Sequence, residues 1–231
     1  WSMNGRYEVP AAEQLAEPTP VMHAPEGDVP DVQAAIQRAA ADPALGVLSA
    51  SVTDVETGEV LWAKDENRKL TPASATKLYT AAAAILALDE DSRWSTDLLQ
   101  DPNDPGRLVL RSEGDVSLSR DGEGFFTEAA SVAKLAEKAK KKLGGQPVTS
   151  IVVDNSIRSG DLFNKTWDRE DIDGGNVANL DAVMLDAGRL DPYTSDSARS
   201  HNPGEDVGRA LADALGADAE VTVSKLSLIH I

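Results

Sequence analysis

The chain contains no cysteine, so neither a disulfide framework nor a thiolate metal site is available to it. That absence does not locate the protein, because a cysteine-free chain folds equally well on either side of a membrane. Aromatic residues make up only 4%, and the three histidines, His23, His201 and His230, are too scattered to form a spaced metal-binding pair. No apolar run approaches the length that spans a bilayer, and no signal peptide is visible. Positive charge is also scarce. The 22 basic residues face 39 acidic ones, and the net charge of -17 repels nucleic acid phosphates and anionic lipid surfaces. A nucleic-acid partner is thereby disfavoured, and no cofactor or metal is implied.

What remains is a globular composition: 231 residues, 41% hydrophobic and 26% charged, enough to bury a core in one or two domains. Residues 1–30 carry Pro10, Pro18, Pro20, Pro25 and Pro30 and read as an extended linker. The start at Trp1 points to missing upstream sequence. At the other end, Leu226-Ser227-Leu228-Ile229-His230-Ile231 matches the translation of a common sequencing-library adapter, so native sequence is expected to end near Lys225.

Between these ends, strand and helix patterns alternate, which predicts a mixed α/β (α+β) body. Asp31 caps a short helix that Asp42-Pro43 ends. Residues 48–55 and 59–64 alternate around Glu56-Thr57-Gly58 and read as a hairpin. A helix is expected from Ser74 through Leu88, its alanines packed against that sheet. Strands are expected at 94–99 and 107–111, then a lysine-rich amphipathic helix over 128–143 that Gly144-Gly145 caps. A buried strand over 148–154, a helix over 205–215 and a strand over 220–223 complete the series. The acidic stretch 168–175 lacks the ligand register of a calcium loop and reads as a solvated loop.

The most constraining feature is Ser74-Ala75-Thr76-Lys77, ahead of an alanine-rich apolar run. On a helix, positions i and i+3 share a face, so the Lys77 amine can reach the Ser74 hydroxyl. Serine is a poor nucleophile at neutral pH, and a lysine serves as its base only when burial or nearby positive charge favours the neutral amine. Backbone N–H groups at a helix start add an electrostatic donor toward developing negative charge. The bare spacing is weak evidence, and Ser131-Val132-Ala133-Lys134 repeats it within the solvated amphipathic helix. There a structural role is preferred. The alternative for Ser74 is an N-cap serine with a surface lysine after it.

The run 70–88, with Thr53-Asp54-Val55-Glu56-Thr57-Gly58-Glu59-Val60-Leu61 before it, resembles the penicillin-binding D-alanyl-D-alanine carboxypeptidase/endopeptidase family, serine peptidase family S13. Further similarity lies in Leu108-Val109-Leu110-Arg111-Ser112-Glu113-Gly114-Asp115, in Ile151-Val152-Val153-Asp154-Asn155-Ser156 and in Ala182-Val183-Met184-Leu185-Asp186-Ala187-Gly188-Arg189-Leu190-Asp191-Pro192. Three positions depart from the family pattern: Ser112 where glycine is usual, Val116 where proline is common, and Leu180-Asp181 in place of a proline-containing approach. These departures concern local loop shape.

The resemblance implies an incomplete serine β-lactamase/transpeptidase-like domain with an inserted α/β region. Residues 31–97 form the N-terminal part of the catalytic domain, 98–225 the inserted region with a partial downstream region, and 226–231 the adapter-derived tail. It implies Ser74 as nucleophile and Lys77 as general base of a carboxypeptidase/endopeptidase that acts on peptidoglycan stem peptides, is acylated by β-lactams and faces the periplasm or cell wall. The family's S-x-N serine and K-T-G strand are expected beyond Lys225. Groups of this kind act as a unit, so the chain alone is expected to lack full turnover. The alternatives are a serine β-lactamase or esterase, and a catalytically silent peptidoglycan-binding or interaction domain.

Overall fold

The computed structural model describes residues 31–89 and 91–225; the linker, the adapter-like tail, His23 and His230 lie outside the described residues. The chain divides into two compact units, one ending at Leu86 and the other beginning at Ala87. Among the described residues no helix is long and apolar enough to cross a membrane.

The first unit opens with α1, Val32–Ala40, whose N-cap Asp31 accepts the Ala34 N–H at 2.9 Å. Strands β1, Ala50–Thr53, and β2, Val60–Lys64, form the expected antiparallel hairpin, with an irregularity between Val52 and Thr53. Asp54 organises its turn, accepting the Glu56 and Thr57 N–H groups at 3.0 and 2.7 Å and the Thr57 hydroxyl at 2.9 Å. These bonds, the Thr57 N–H foremost, hold the Asp54 carboxyl below its ordinary value. Helix α1 packs on β2, and Lys64 Nζ donates to the Ala40 carbonyl at 2.7 Å, satisfying a group that the helix end leaves open.

Helix α2, Lys77–Ala87, comes after a 3-10 turn at Ala73–Thr76, so the expected single helix from Ser74 is two segments. Every described residue from 71 to 89 is exposed, including Leu78, Tyr79, Ile85 and Leu86. The expected packing of α2 against the hairpin does not bury it. Ala40 is the one buried residue among those described up to Leu86.

The second unit carries a sheet in the order β3-β4-β5-β6. Strands β3, Thr96–Gln100, and β4, Arg107–Ser112, are antiparallel. Helix α3, Val132–Leu143, leads to β5, Ser150–Asp154, parallel to β4. The long segment after β5 holds α4, Glu170–Asp173, then α5, Pro203–Leu215, and ends in β6, Glu220–Ser224, parallel to β5. The pattern strand, crossover, parallel strand is that of an α/β unit.

Alternation along the strands explains the core. Leu108 and Leu110 of β4 and Ile151 and Val153 of β5 join Val132 and Ala136 of α3 and Val207, Ala210 and Leu211 of α5 in one buried cluster. Each large aliphatic side chain buried this way contributes about 1.5–3 kcal/mol. The approach of α5 to the sheet depends on Gly208, where a Cβ would collide with Cγ1 of Val221 and stand 3.1 Å from Cγ2 of Val153. Helix α3 starts four residues later than expected: Ser131 is its extended N-cap, while Glu128 stands at φ 58. Gly144 ends it in the left-handed region, its N–H bonded to the Lys140 carbonyl, as expected of a C-cap.

Candidate active site

Ser74 occupies the 3-10 turn, and Lys77 opens α2. The Lys77 Nζ donates to Ser74 Oγ at 3.0 Å. The helical backbone of this segment brings an i, i+3 pair over one another, which is why the sequence spacing becomes a side-chain contact. Both residues are exposed, so the burial anticipated for the lysine is not supplied by the described residues. The Ala75 N–H is engaged by the Pro72 carbonyl at 3.0 Å.

Ser131 and Lys134 have the same spacing and a different outcome. Ser131 Oγ accepts the backbone N–H of Lys134 at 3.2 Å, while the hydroxyl sits on a residue only 5% exposed. It is a helix cap, in agreement with the structural role preferred for it.

The other family-like segments lie in the second unit and hold it together. Ser112, standing where glycine is usual, uses its hydroxyl to accept the Asp115 N–H at 3.0 Å and the Thr96 hydroxyl at 3.0 Å. Asn155, at the end of the β5 segment, donates Nδ2 to Asp181 Oδ1 at 2.6 Å and accepts the Ala182 N–H at 2.6 Å. Asp181 Oδ2 in turn accepts the Gly204 N–H at 2.7 Å, capping the first turn of α5 from a distant point in the chain. Periodicity carries no signal for this network, because Asn155, Asp181 and Ala182 sit in loops.

The segment after Met184 makes a left-handed turn through Asp186, Ala187 and Gly188, at φ 47, 55 and 76. Its register comes from the Asp186 and Ala187 N–H groups, bonded to the Leu118 and Val116 carbonyls at 2.8 and 2.7 Å. The Asp186 carboxylate, 3% exposed, accepts the Phe125 N–H at 2.9 Å, and burial pushes its carboxyl above the ordinary range. A Cβ at Gly124 would collide with this carboxylate.

The solvated loop expected over 168–175 contains α4, whose Ile172 is fully buried. One apolar residue among acidic neighbours anchors the turn, a pattern too short for periodicity to reveal. No cluster of metal-ligating side chains occurs among the described residues. His201 is exposed, with Nε2 3.0 Å from Asp173 Oδ1.

The sequence also holds S-x-N spacings before Lys225, contrary to expectation. Ser2-Met3-Asn4 lies outside the described residues, and Ser200-His201-Asn202 lies in the second unit. Ser200 Oγ accepts the Asn202 N–H at 3.0 Å, and Asn202 precedes α5 as its N-cap residue. Local hydrogen bonding accounts for this serine. No K-T-G occurs in the sequence.

Comparison with known proteins agrees with this architecture. Residues 32–221 match the family described as the D-Ala-D-Ala carboxypeptidase 3 (S13) family. The chain is 39% identical over 209 residues to carboxypeptidase DacB of Mycolicibacterium smegmatis, covering 89% of this chain and 44% of the relative. It is 40% identical over 221 residues to carboxypeptidase Rv3627c of Mycobacterium tuberculosis, covering 94% of this chain and 46% of the relative. A D-alanyl-D-alanine carboxypeptidase of Actinomadura sp. is 40% identical over 100 residues, 40% of this chain and 18% of that protein. The chain thus spans less than half the length of these relatives. With the match running from α1 into β6 through both units, the chain belongs to the D-Ala-D-Ala carboxypeptidase 3 (S13) family.

Proposed function

We propose that this chain carries the nucleophile and base of a serine D-Ala-D-Ala carboxypeptidase/endopeptidase acting on peptidoglycan stem peptides. The observation that supports this most is the 3.0 Å contact between Lys77 Nζ and Ser74 Oγ at the head of an apolar helix, in a chain whose relatives are named carboxypeptidases. Ser74 Oγ attacks the carbonyl carbon of the penultimate D-Ala while Lys77 accepts its proton. The amide bond breaks, the proton passes to the departing amine of the terminal D-Ala, and an ester remains on Ser74. Water then hydrolyses that ester and releases the shortened peptide. A β-lactam acylates the same hydroxyl, and a peptidoglycan substrate implies a site on the cell-wall side of the membrane.

The exposure of α2 is consistent with a larger catalytic body. A helix that is apolar on every side belongs inside a core. Further sequence that covers Leu78, Tyr79, Ile85 and Leu86 would also take Lys77 out of water, the setting in which a lysine acts as a base.

A fluorescent penicillin and a D-Ala-D-Ala-terminated peptide test the reading in the full-length protein. Penicillin labelling that disappears in Ser74→Ala, together with release of D-Ala, is the expected result. Labelling that survives Ser74→Ala overturns the nucleophile. Labelling without D-Ala release points to a β-lactamase or esterase, and no labelling at all to a silent binding domain.

A further inference from the structure

Two residues of the first unit that carry a Cβ stand at positive φ, Asp65 and Ala73, both at 46°. Local chemistry accounts for the first. Aspartate enters the left-handed region more readily than most residues, and the Arg68 N–H and the Ser49 hydroxyl both bond the Asp65 carbonyl at 2.8 Å. Ala73 offers only a methyl group, which neither donates nor accepts. It comes after Pro72, at φ -78 and ψ -9, and immediately precedes Ser74. The Ala75 N–H bond to the Pro72 carbonyl, 3.0 Å, closes the turn around it.

Two stiff pieces therefore meet at Ala73. The proline ring fixes the backbone on one side, and helical turns continue on the other. The Ala73 torsion sets the direction in which Ser74 leaves the incoming chain. For a residue with a Cβ the left-handed basin is small, whereas glycine ranges widely over positive φ. Alanine in this turn holds one geometry under strain. Glycine would relieve the strain and widen the geometry.

We propose that Ala73 is a positioning residue for Ser74: its Cβ confines the left-handed turn and so aims the Ser74 hydroxyl and N–H at the reacting carbonyl. This rests on the reading of Ser74 as the nucleophile. Strain retained beside a reacting group is a recognised use of sparsely populated backbone conformations.

The test compares the second-order rate constant for acylation of the full-length protein by a fluorescent penicillin, alongside Tm, across four variants. Ala73→Gly is expected to acylate about tenfold more slowly or worse, since small misplacements of a reacting group are expensive in rate, with Tm unchanged or raised. Ala73→Ser keeps a Cβ and is expected to stay within about twofold of wild type on the same argument. Asp65→Gly relaxes an equal torsion elsewhere and is expected to acylate like wild type. An Ala73→Gly rate within about twofold of wild type overturns the proposal. If Ser74→Ala still labels, or wild type does not label, the nucleophile reading fails and this inference fails with it. If Ser74→Ala abolishes labelling while Ala73→Gly leaves the rate alone, only the aiming role fails.

Discussion

Ser74 and Ser131 each precede a lysine by three residues, yet they meet different atoms of that lysine. Ser131 is extended, at φ -123 and ψ 144, so it stands outside its helix and its hydroxyl faces the backbone N–H of Lys134. Ser74 is already within a 3-10 turn, so its hydroxyl faces the end of the Lys77 side chain instead. One arrangement satisfies an orphan donor at a helix start, and the other pairs a hydroxyl with an amine. The backbone state of the serine, rather than the spacing, separates a helix cap from a hydroxyl–amine pair.

The surroundings sharpen the contrast. Ser131 belongs to the unit with a buried aliphatic core, between a sheet and two packed helices. Ser74 belongs to the unit in which Ala40 is the one buried residue among those described. The candidate chemistry and the packing are thus divided between two regions of the same chain.

Acylation by a labelled penicillin is the largest expected difference. In the full-length protein Ser74→Ala is expected to lose labelling by about a thousandfold or more, as removal of a nucleophile does, while Ser131→Ala labels normally. Equal loss in both would erase the distinction. Lys77→Ala is expected to slow acylation by about 10²–10⁴-fold, the usual range for a general base, with Lys134→Ala unaffected. An unchanged rate in Lys77→Ala would remove the base assignment.

Stability should divide the other way. Asp181→Ala strips partners from the Asn155 amide and the Gly204 N–H, both buried, and is expected to cost about 2–4 kcal/mol by denaturant unfolding. A loss below about half a kcal/mol, the range of surface changes, would show that the network is incidental. Ser131→Ala removes a cap and is expected to cost about 1 kcal/mol, against about half a kcal/mol or less for the exposed Ser74→Ala.

The smallest effect is a difference in pH dependence. Burial raises the Asp186 carboxyl, so the folded protein binds that proton more tightly than the unfolded chain. Its contribution is full below the ordinary carboxylate value and is lost as pH rises through the folded value. Asp54 is held low by its turn, so its contribution is present above the ordinary value and is lost as pH falls through the folded one. Asparagine stands in for the protonated acid, so in unfolding monitored across the acid range both Asp186→Asn and Asp54→Asn should run parallel to wild type at the acid end and depart from it as pH rises, Asp186→Asn gaining relative stability and Asp54→Asn losing it. Departures of the same sign would contradict one of the two shifts.

Much of the local structure is legible without coordinates. Asp31, Asp42-Pro43 and Gly144 mark helix ends through hydrogen bonding and backbone preference alone, and the hairpin around Thr57-Gly58 arises from alternation and a turn residue. The start of α3 differs from the expected one because the amphipathic pattern runs through Ser131, which the chain uses as a cap. Helix α4 is hidden from periodicity because a single buried isoleucine gives no period. Ser200-His201-Asn202 has the S-x-N spacing, but its hydrogen bond shows a loop serine serving the start of α5.

The sequence by itself determined the types of the longer helices and strands, the acidic balance, and the position of Ser74 relative to Lys77, because these depend on composition and on interactions within a few residues. Tertiary structure decided the parallel order of β4, β5 and β6, the reach of Asp181 across the chain to Gly204, and the left-handed turn at Asp186. It also decided that the serine of one S-x-x-K is buried as a cap while the serine of the other lies open at the start of an exposed apolar helix. Those outcomes require groups far apart in sequence to exclude water from one another, and no local pattern records which groups will meet.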